Sequence, residues 1–376
     1  MSDKAPNTPA RLLELRKRLD AVDTGIVDLV AERLAIVAEI GELKQHTGAP
    51  LRHYEREREV IERGMARAQV CGVPPRLARE ILELLIHHSL GRQEADQLVQ
   101  SDHGQGRRAL VIGGAGRMGR WMARYLDMVG YRVDISDPSA EESPHARVAD
   151  WRPVLAEYDV VVVAVPLRPS NQLLLELAKM PPGPLVFDIA SLKSPLRAGL
   201  EAVHAAGWRV CSVHPMFGPD EIGLSGRHIL FVDIGHAGAV AEARALFAHT
   251  AADCVDLSLE EHDEVMAWVL GLSHLVNITF ATALAESGEE VPLLRNISSS
   301  TFNAQLKVAA QVVSENPHLY YEIQQGNVRT PEVVRRFRDT LDRLAAAVAG
   351  GDEDSFAAAM VLANRRLAAG RSSSQP

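Results

Sequence analysis

Cysteine is scarce in this chain: three in 376 residues, at Cys71, Cys211 and Cys254, with neither C-x-x-C nor zinc-ligand spacing. A disulfide framework and a structural metal are not expected on that count, and a reducing compartment is. Such thiols pack as small apolar groups. Basic charge is also short. With 40 Lys+Arg against 49 Asp+Glu, the net charge is −9 and the pI near 5.9. That disfavours nucleic acid or an anionic membrane as partner, because both reward a basic surface. Any anionic ligand must therefore meet a local cluster of cations. Nor does the chain contain a run of roughly 18 apolar residues, and its opening MSDKAPNTPARLLEL has no apolar signal core. A cytoplasmic protein with no membrane partner is the expectation. What is present, 47% hydrophobic and 24% charged residues over this length, suffices for two or three domains with cores of their own.

The most informative stretch is LVIGGAGRMGRWMARYLDMVGYRVDISD, from Leu110 to Asp137. A short apolar run leads into three glycines in G-x-G-x-x-G spacing, Gly114, Gly116 and Gly119, then an amphipathic helix pattern and a second strand ending in an acid. Gly114 is expected to permit the tight turn out of the strand, Gly116 to let backbone approach a pyrophosphate, and Gly119 to bring the helix close to the sheet. The helix opening at Arg117-Met118 would direct its free N–H groups and positive dipole end at the phosphates. Asp137 stands eighteen residues beyond Gly119, where an acid accepts hydrogen bonds from a ribose 2′-OH and repels a 2′-phosphate. NAD, rather than NADP, is the expected cofactor.

Ahead of this, Ala10 to His46 is nearly free of helix breakers and places apolar residues at Leu12, Leu15, Leu19, Val22, Ile26, Leu29, Leu34, Val37, Ile40 and Leu43. The steps of three and four predict one long amphipathic helix, with Thr8 as N-cap and Pro9 just inside. Further helices are expected over about Tyr54–Gln69 and Pro75–Ala95. Three helices, one far longer than the others, cannot close a compact core alone and are expected to pair with a second copy. Arg33 and Lys44, eleven residues apart, fall about 20° from each other around the helix. Arg16 is rotated well away from that face, as it would be if it served a neighbouring chain. With Arg56, Glu57, Ser89 and Gln93 these residues are candidates for a small cationic pocket. For any one of them alone, an ordinary solvated charge is the commoner role.

The polar segment ADQLVQSDHGQGRR, following Glu94, reads as a linker. Beyond the fingerprint come Asp159–Pro166, Pro184–Ser191, Trp208–Pro215 and His228–Ile234, continuous apolar runs of strand length separated by helical patterns. They predict a parallel sheet covered on both faces. Functional residues then belong at the carboxyl ends of the strands, where three motifs sit: Val165-Pro166, Asp188-x-x-Ser191-x-Lys193 and His214-Pro-Met-Phe-Gly-Pro-Asp220. A histidine picked at random from the 14 is usually structural. His214, directly after a strand in a loop with two prolines and a glycine, is the candidate base, since an unperturbed imidazole with pKa near 6.5 can take a hydroxyl proton as hydride leaves the same carbon. From Leu257 the composition is helical through Ala369, and GRSSSQP reads as a disordered tail.

On LRKRLDAVD, LVAERLAIVAEIGELK, the Arg56-Glu57 pair, and Ser89 with Gln93, the segment from Leu12 to Gln93 resembles the all-helical chorismate mutase family. The resemblance implies an intertwined helical dimer in which Arg16 reaches the partner's site. Arg16 and Arg33 would clamp the two carboxylates of chorismate, Lys44 and Gln93 would hydrogen-bond the ether oxygen, and Glu57 would hold the ring hydroxyl. His53 departs from the family, many of whose members carry aspartate there.

On GGAGRMG, DIASLKS, HPMFGPD and EHD followed by a long helix, residues 108–370 resemble the prephenate dehydrogenase family. The implied chain is multidomain. An all-α chorismate mutase-like module (8–97) and a linker (98–107) are followed by an α/β Rossmann NAD-binding domain (108–257) and an all-α C-terminal dimerisation and substrate domain (258–370). By this resemblance His214 hydrogen-bonds the C4 hydroxyl of prephenate, Ser191 supports it, and hydride passes to NAD as the ring carboxylate leaves as CO2. L-Tyrosine is the feedback inhibitor such a family implies, and a homodimer its assembly. The family usually places an arginine for the ring carboxylate six residues before the proline of its last D-P or N-P turn. Counting back from Pro317 gives Gln311, with Lys307 one turn earlier on the same face as a substitute. Arogenate remains open as the second substrate. A 6-phosphogluconate-like β-hydroxyacid enzyme shares the fingerprint but not HPMFGPD or the helical module. A regulatory sensor of chorismate or an aromatic amino acid would not need Lys44, Glu57 and Gln93 together.

Overall fold

The computed structural model describes residues 8–47, 53–100, 104–139, 141–221 and 223–373. Its chain forms two compact units. One comprises the chain up to Val165 with Leu173–Ala190 and Leu200–Asp256; the other comprises Pro166–Gln172, Ser191–Gly199 and the chain from Leu257 on.

The first unit begins with α1 (Thr8–Thr47), α2 (Tyr54–Val70) and α3 (Pro75–Gln100). Helix α2 opens where the His53 ring nitrogen accepts the Arg56 N–H at 3.3 Å, so the residue that breaks the resemblance at this position serves as an N-cap. Gly72, in the left-handed region, turns the chain into α3, which packs on α2 with Leu82 against Gly64. At 1.5 Å per residue a 40-residue helix runs about 60 Å, far beyond what α2 and α3 can cover. Leu19, Val22, Ile26, Leu29 and Leu43 accordingly stay more than half exposed. Helix α3 continues to Gln100, where a linker was expected to be under way. Its sequence EADQLVQ holds no breaker, and the first glycine, Gly104, comes only after it.

Eight strands follow: β1 (Arg108–Ile112), β2 (Arg132–Ser136), β3 (Ala146–Arg147), β4 (Val160–Val163), β5 (Leu185–Asp188), β6 (Arg209–Pro215), β7 (His228–Asp233) and β8 (Asp253–Leu257). Their order is β3-β2-β1-β4-β5-β6-β7-β8. The neighbours from β3 to β6 are parallel, and the all-valine β4 is buried along its length, as a strand covered on both faces must be. The expectation of a wholly parallel sheet needs correction at β7, which pairs antiparallel with β6, His214 opposite Leu230. The connection between them, residues 216–227, holds no helix among its described residues to carry the chain back across the sheet. The intervening helices are α4 (Arg117–Met128), α5 (Leu167–Leu177), α6 (Arg197–Ala205) and α7 (Ala237–Ala245). Helix α4 buries Trp121, Met122, Tyr125 and Leu126 against the sheet, and Tyr125 stacks on Phe247 at 5.0 Å while donating to the Leu246 carbonyl at 2.7 Å.

In the second unit a helical run from Leu259 to Glu286 is built of α8 (Leu259–Met266), a π-helical stretch (Ala267–Leu272) and α9 (Ser273–Glu286). Ser258 and Glu261 close a reciprocal capping box at its start. The Gly271 carbonyl in the wide turn is taken by Gln324 Nε2 at 2.9 Å, the kind of side-chain partner a π-bulge needs. By length and composition this run is apolar enough to cross a membrane, which the residue-by-residue reading did not bring out. Here it packs on its neighbours, with Asn277 buried and bonded to Gln305 at 2.9 Å. The remaining helices are α10 (Val291–Asn296), α11 (Ser300–Val313), α12 (Pro317–Gly326), α13 (Thr330–Gly350) and α14 (Glu353–Ser373). The last takes in most of the expected tail; residues 374–376 lie outside the described ones.

Candidate functional site

In the helical module, α1 and α3 meet along a polar seam. Arg33 donates to Ser89 Oγ at 2.6 Å and to the Leu85 carbonyl at 3.1 Å, and Ser89 Oγ donates to the same carbonyl at 2.6 Å. One turn along each helix, Gln93 Nε2 donates to the Val37 carbonyl at 2.6 Å, and a Cβ on Gly41 would lie 3.2 Å from Gln93. Gly41 is what lets the glutamine lie flat on α1. Ser89 and Gln93 are buried, and burial lowers the Arg33 pKa from its ordinary value. Lys44, half exposed, follows Gly41 by three residues on α1, and Glu57 is half buried on α2; both hold polar interactions. Arg56 is exposed and paired with Glu59 at 3.0 Å. Arg16, also exposed, lies seventeen residues before Arg33 on the same helix, about 25 Å along the axis. It therefore cannot join the Arg33 pocket of its own chain.

In the sheet of the same unit, the glycines of the fingerprint loop are each required by close contacts or backbone conformation. Gly113, not Gly114, takes the left-handed turn, with φ +88°. Gly114 is needed because a Cβ there would lie 2.5 Å from Ile135 Cγ2. A Cβ on Gly119 would strike the Gly113 carbonyl at 2.1 Å, so only glycine brings α4 so close to the turn. Gly116 is the N-cap of α4 and leaves the first turn's N–H groups to whatever lies beyond. Asp137, at the end of β2, accepts the Ala115 N–H at 3.0 Å and the Ser139 N–H at 2.8 Å. Each carboxylate oxygen keeps a lone pair, so the acid is tied to the loop and still able to accept from a hydroxyl. Val165 is half exposed and Pro166 exposed at the end of β4.

His214, near the end of β6, is buried and holds a polar contact. The motif it opens is bound to α4. Phe217 stands edge-on to Trp121 at 4.8 Å, and Trp121 Nε1 donates to the Glu221 carbonyl at 2.8 Å. Arg117 of the fingerprint lies 3.5 Å from Asp220. The dinucleotide motif and HPMFGPD, a hundred residues apart in sequence, thus share one helix.

In the second unit Ser191, half exposed, precedes a buried hub centred on Asp263. The Lys193 N–H donates to it at 3.1 Å, the Ser194 N–H at 2.6 Å, and Ser194 Oγ makes a shorter bond. His262 Nδ1 is 2.7 Å away. Burial pushes the Asp263 carboxyl up, but these hydrogen bonds outweigh it and leave its pKa below the usual carboxylate range. Asn327 fastens the Asp263 carbonyl at 2.8 Å. The EHD triplet was visible in the sequence, yet nothing local said that its acid would hold the Ser191 segment. Lys307 and Gln311 both lie on the exposed side of α11, whose buried face is Leu306 and Ala309. His274, beside Tyr320 at 4.4 Å, has its pKa lowered by burial.

Three protein families match the chain, in order. Chorismate mutase type II covers residues 15–94, the prephenate dehydrogenase nucleotide-binding domain 122–233, and the prephenate dehydrogenase dimerization domain 258–362. The T-protein of Enterobacter agglomerans is 29% identical over 354 residues, 93% of this chain and 91% of that one. A 4-amino-4-deoxyprephenate dehydrogenase of Streptomyces pristinaespiralis is 31% identical over 262 residues, 67% of this chain and 88% of that one. Among solved structures, the prephenate dehydrogenase from A. aeolicus in complex with hydroxyphenyl propionate and NAD+ shares the fold, with a TM-score of 0.56 and 18% identity over 69% of this chain and 96% of that one.

Proposed function

This chain belongs to the prephenate dehydrogenase family with a type II chorismate mutase domain ahead of it, and from that premise we propose that one polypeptide catalyses two consecutive steps of tyrosine biosynthesis. Chorismate is rearranged to prephenate, and prephenate is oxidatively decarboxylated with NAD to 4-hydroxyphenylpyruvate and CO2. The observation that carries this is the presence of all three matches in one chain, aligned with a T-protein over nearly its whole length. Purified protein should convert chorismate to prephenate with no cofactor, and then produce NADH and CO2 once NAD is added. Chorismate left intact would refute the first half, and NAD left unreduced in the presence of prephenate the second.

The rearrangement needs no nucleophile and no proton transfer. The pocket accelerates it by holding a compact conformer and stabilising charge that develops on the ether oxygen. In our reading Arg33, with Ser89 behind it, takes one substrate carboxylate and Arg16 of a second copy the other. Lys44 and Gln93 donate to the ether oxygen, Glu57 holds the ring hydroxyl, and Arg56 adds positive potential at the pocket rim. The exposed apolar residues of α1 suit a second copy as their cover, consistent with the dimerization domain further along the chain.

In the dehydrogenase, His214 accepts the proton of the C4 hydroxyl as hydride leaves C4, and Ser191 holds that hydroxyl in place. The bond from C1 to its carboxylate then breaks, its electron pair enters the ring, and CO2 and an aromatic product result. NAD, when bound, supplies the hydride acceptor. Gly114, Gly116, Arg117, Met118, Gly119, Asp137, Val165 and Pro166 are the residues that would hold it. The cytoplasm is the proposed location and L-tyrosine the proposed feedback inhibitor, tested by adding tyrosine to the dehydrogenase assay.

Asp137→Ala should lower the NAD-over-NADP ratio of kcat/KM by about ten- to hundredfold, because a 2′-phosphate would no longer face a carboxylate at close range. A wild-type enzyme that already prefers NADP would show the role of Asp137 to be misassigned. If Lys307 takes the ring carboxylate, Lys307→Ala should raise the KM for prephenate by about ten- to hundredfold, the loss of a charge-assisted hydrogen bond. KM for NAD should not change. A defect confined to Gln311→Ala would give the carboxylate to the amide instead. Running both variants on prephenate and arogenate also decides which is the better substrate.

A further inference from the structure

Helix α3 has a second set of contacts that the mutase reaction does not use. Glu94, next to Gln93, is fully buried, and its Oε2 accepts the Leu224 N–H at 2.8 Å. Burial pushes the carboxyl pKa up to about 7, with the nearby backbone of Leu224, Ala251 and Ser225 offsetting part of the rise, and its Oε1 has no hydrogen-bond partner among the described residues. One turn earlier, α3 crosses the same segment glycine against glycine: a Cβ on Gly223 would lie 2.8 Å from the Gly91 Cα. Leu224 and Ser225 are themselves buried. They belong to the connection between β6 and β7, the one that follows His214 and Pro215 and carries the rest of HPMFGPD.

That connection is held at several places, one of them the Arg227 carbonyl, which accepts the Asp253 N–H at 2.8 Å. Its base is closed by the Met216 N–H on the His228 carbonyl at 2.9 Å, and its middle is tied to α4 by Trp121 on the Glu221 carbonyl. Its far side rests on Glu94 and Gly91. A carboxyl group is costly to bury and is tolerated where it satisfies backbone groups with no other outlet. The backbone it satisfies here belongs to the dehydrogenase motif loop, while the helix that supplies it carries Ser89 and Gln93 into the mutase pocket.

We propose that Glu94 is a positioning residue for the dehydrogenase reaction, set on the mutase helix, and that through the Leu224 amide and the Gly91–Gly223 crossing it holds the loop after His214 in its working shape. The proposal rests on the dehydrogenase reading above. It makes the helical module a structural part of the second active site and not merely a fused neighbour.

The test uses the full chain with Glu94→Ala, Glu94→Gln and Gly223→Ala. Glu94→Ala should lower kcat/KM for prephenate by about tenfold, with KM for NAD and mutase turnover unchanged. Glu94→Gln keeps a carbonyl oxygen for the Leu224 N–H and should restore most of the loss. Gly223→Ala, which forces α3 and the loop apart without touching a charge, should reproduce the defect even if Glu94→Ala fails to fold. The proposal is overturned if Glu94→Ala and Gly223→Ala both turn over prephenate like wild type. It is equally overturned if Gly223→Ala, or a Glu94→Ala protein that folds, loses mutase and dehydrogenase activity in parallel, as general destabilisation would cause. Wild type inactive with prephenate and NAD would overturn the functional reading and the inference with it.

Discussion

Replacing His214 with asparagine should lower kcat for prephenate oxidation by about 10²- to 10⁴-fold, the usual contribution of a positioned general base. Asparagine keeps similar bulk and hydrogen-bonding at the end of β6 and cannot take the proton. The residue is buried opposite Leu230 in a paired strand, so its backbone position survives the change. KM for NAD should hold, because the fingerprint loop is built from β1, α4 and Asp137. Mutase turnover should hold as well, since Arg33, Ser89 and Gln93 make their bonds within α1 and α3. In wild type, kcat/KM should fall as pH drops and the base becomes protonated, and this acid limb should disappear in the variant. A variant with near wild-type kcat, or one that keeps the acid limb, would remove His214 from the chemistry.

Lys44→Ala should reduce mutase kcat by about 10²- to 10³-fold, by analogy with the loss of one donor to a developing oxyanion, worth about 3 kcal/mol. The developing charge on the ether oxygen lies between two proposed donors, and Gln93 is neutral, so the ammonium contributes the larger share. The helix should survive, because alanine is the best helix former and Lys44 is half exposed near the end of α1. Dehydrogenase activity measured with added prephenate should be untouched, which separates a chemical defect from unfolding. Substantial mutase activity in Lys44→Ala would dismiss the cationic pocket on α1, whatever remains of the dehydrogenase assignment.

Much of this protein is written in local pattern. The near absence of breakers from Ala10 to His46 determined one long helix, because propagation needs only unbroken good formers and an apolar stripe. The continuous apolar runs determined strands buried on both faces. Gly119 was legible because G-x-G-x-x-G has a well-defined geometric use between a strand and a helix, and His214 because it stands at the carboxyl end of an apolar run, although the strand itself takes it in and pairs it with Leu230. The length of α1 against its short neighbours also foretold the apolar surface it leaves uncovered.

Other features depended on residues far apart in the chain. β7 reads as one more buried strand from its composition, and its antiparallel direction was set by residues 216–227, which return the chain at the same end of the sheet. Gly113 and Gly114 are adjacent and identical in sequence; the fold set Gly113 in the left-handed region against the Ala164 carbonyl and Gly114 against the Ile135 side chain brought alongside by β2. Glu94 looked like an ordinary charge near the end of the third predicted helix because its acceptor role is created by the Leu224 amide 130 residues later. Asp263 became a hub through amides 70 residues earlier. Period and propensity act over a few residues, so the sequence by itself determined the elements and their motifs. Burial and hydrogen-bond satisfaction act between whatever the fold brings together, so only the tertiary structure decided which polar groups are held, by whom, and to what end.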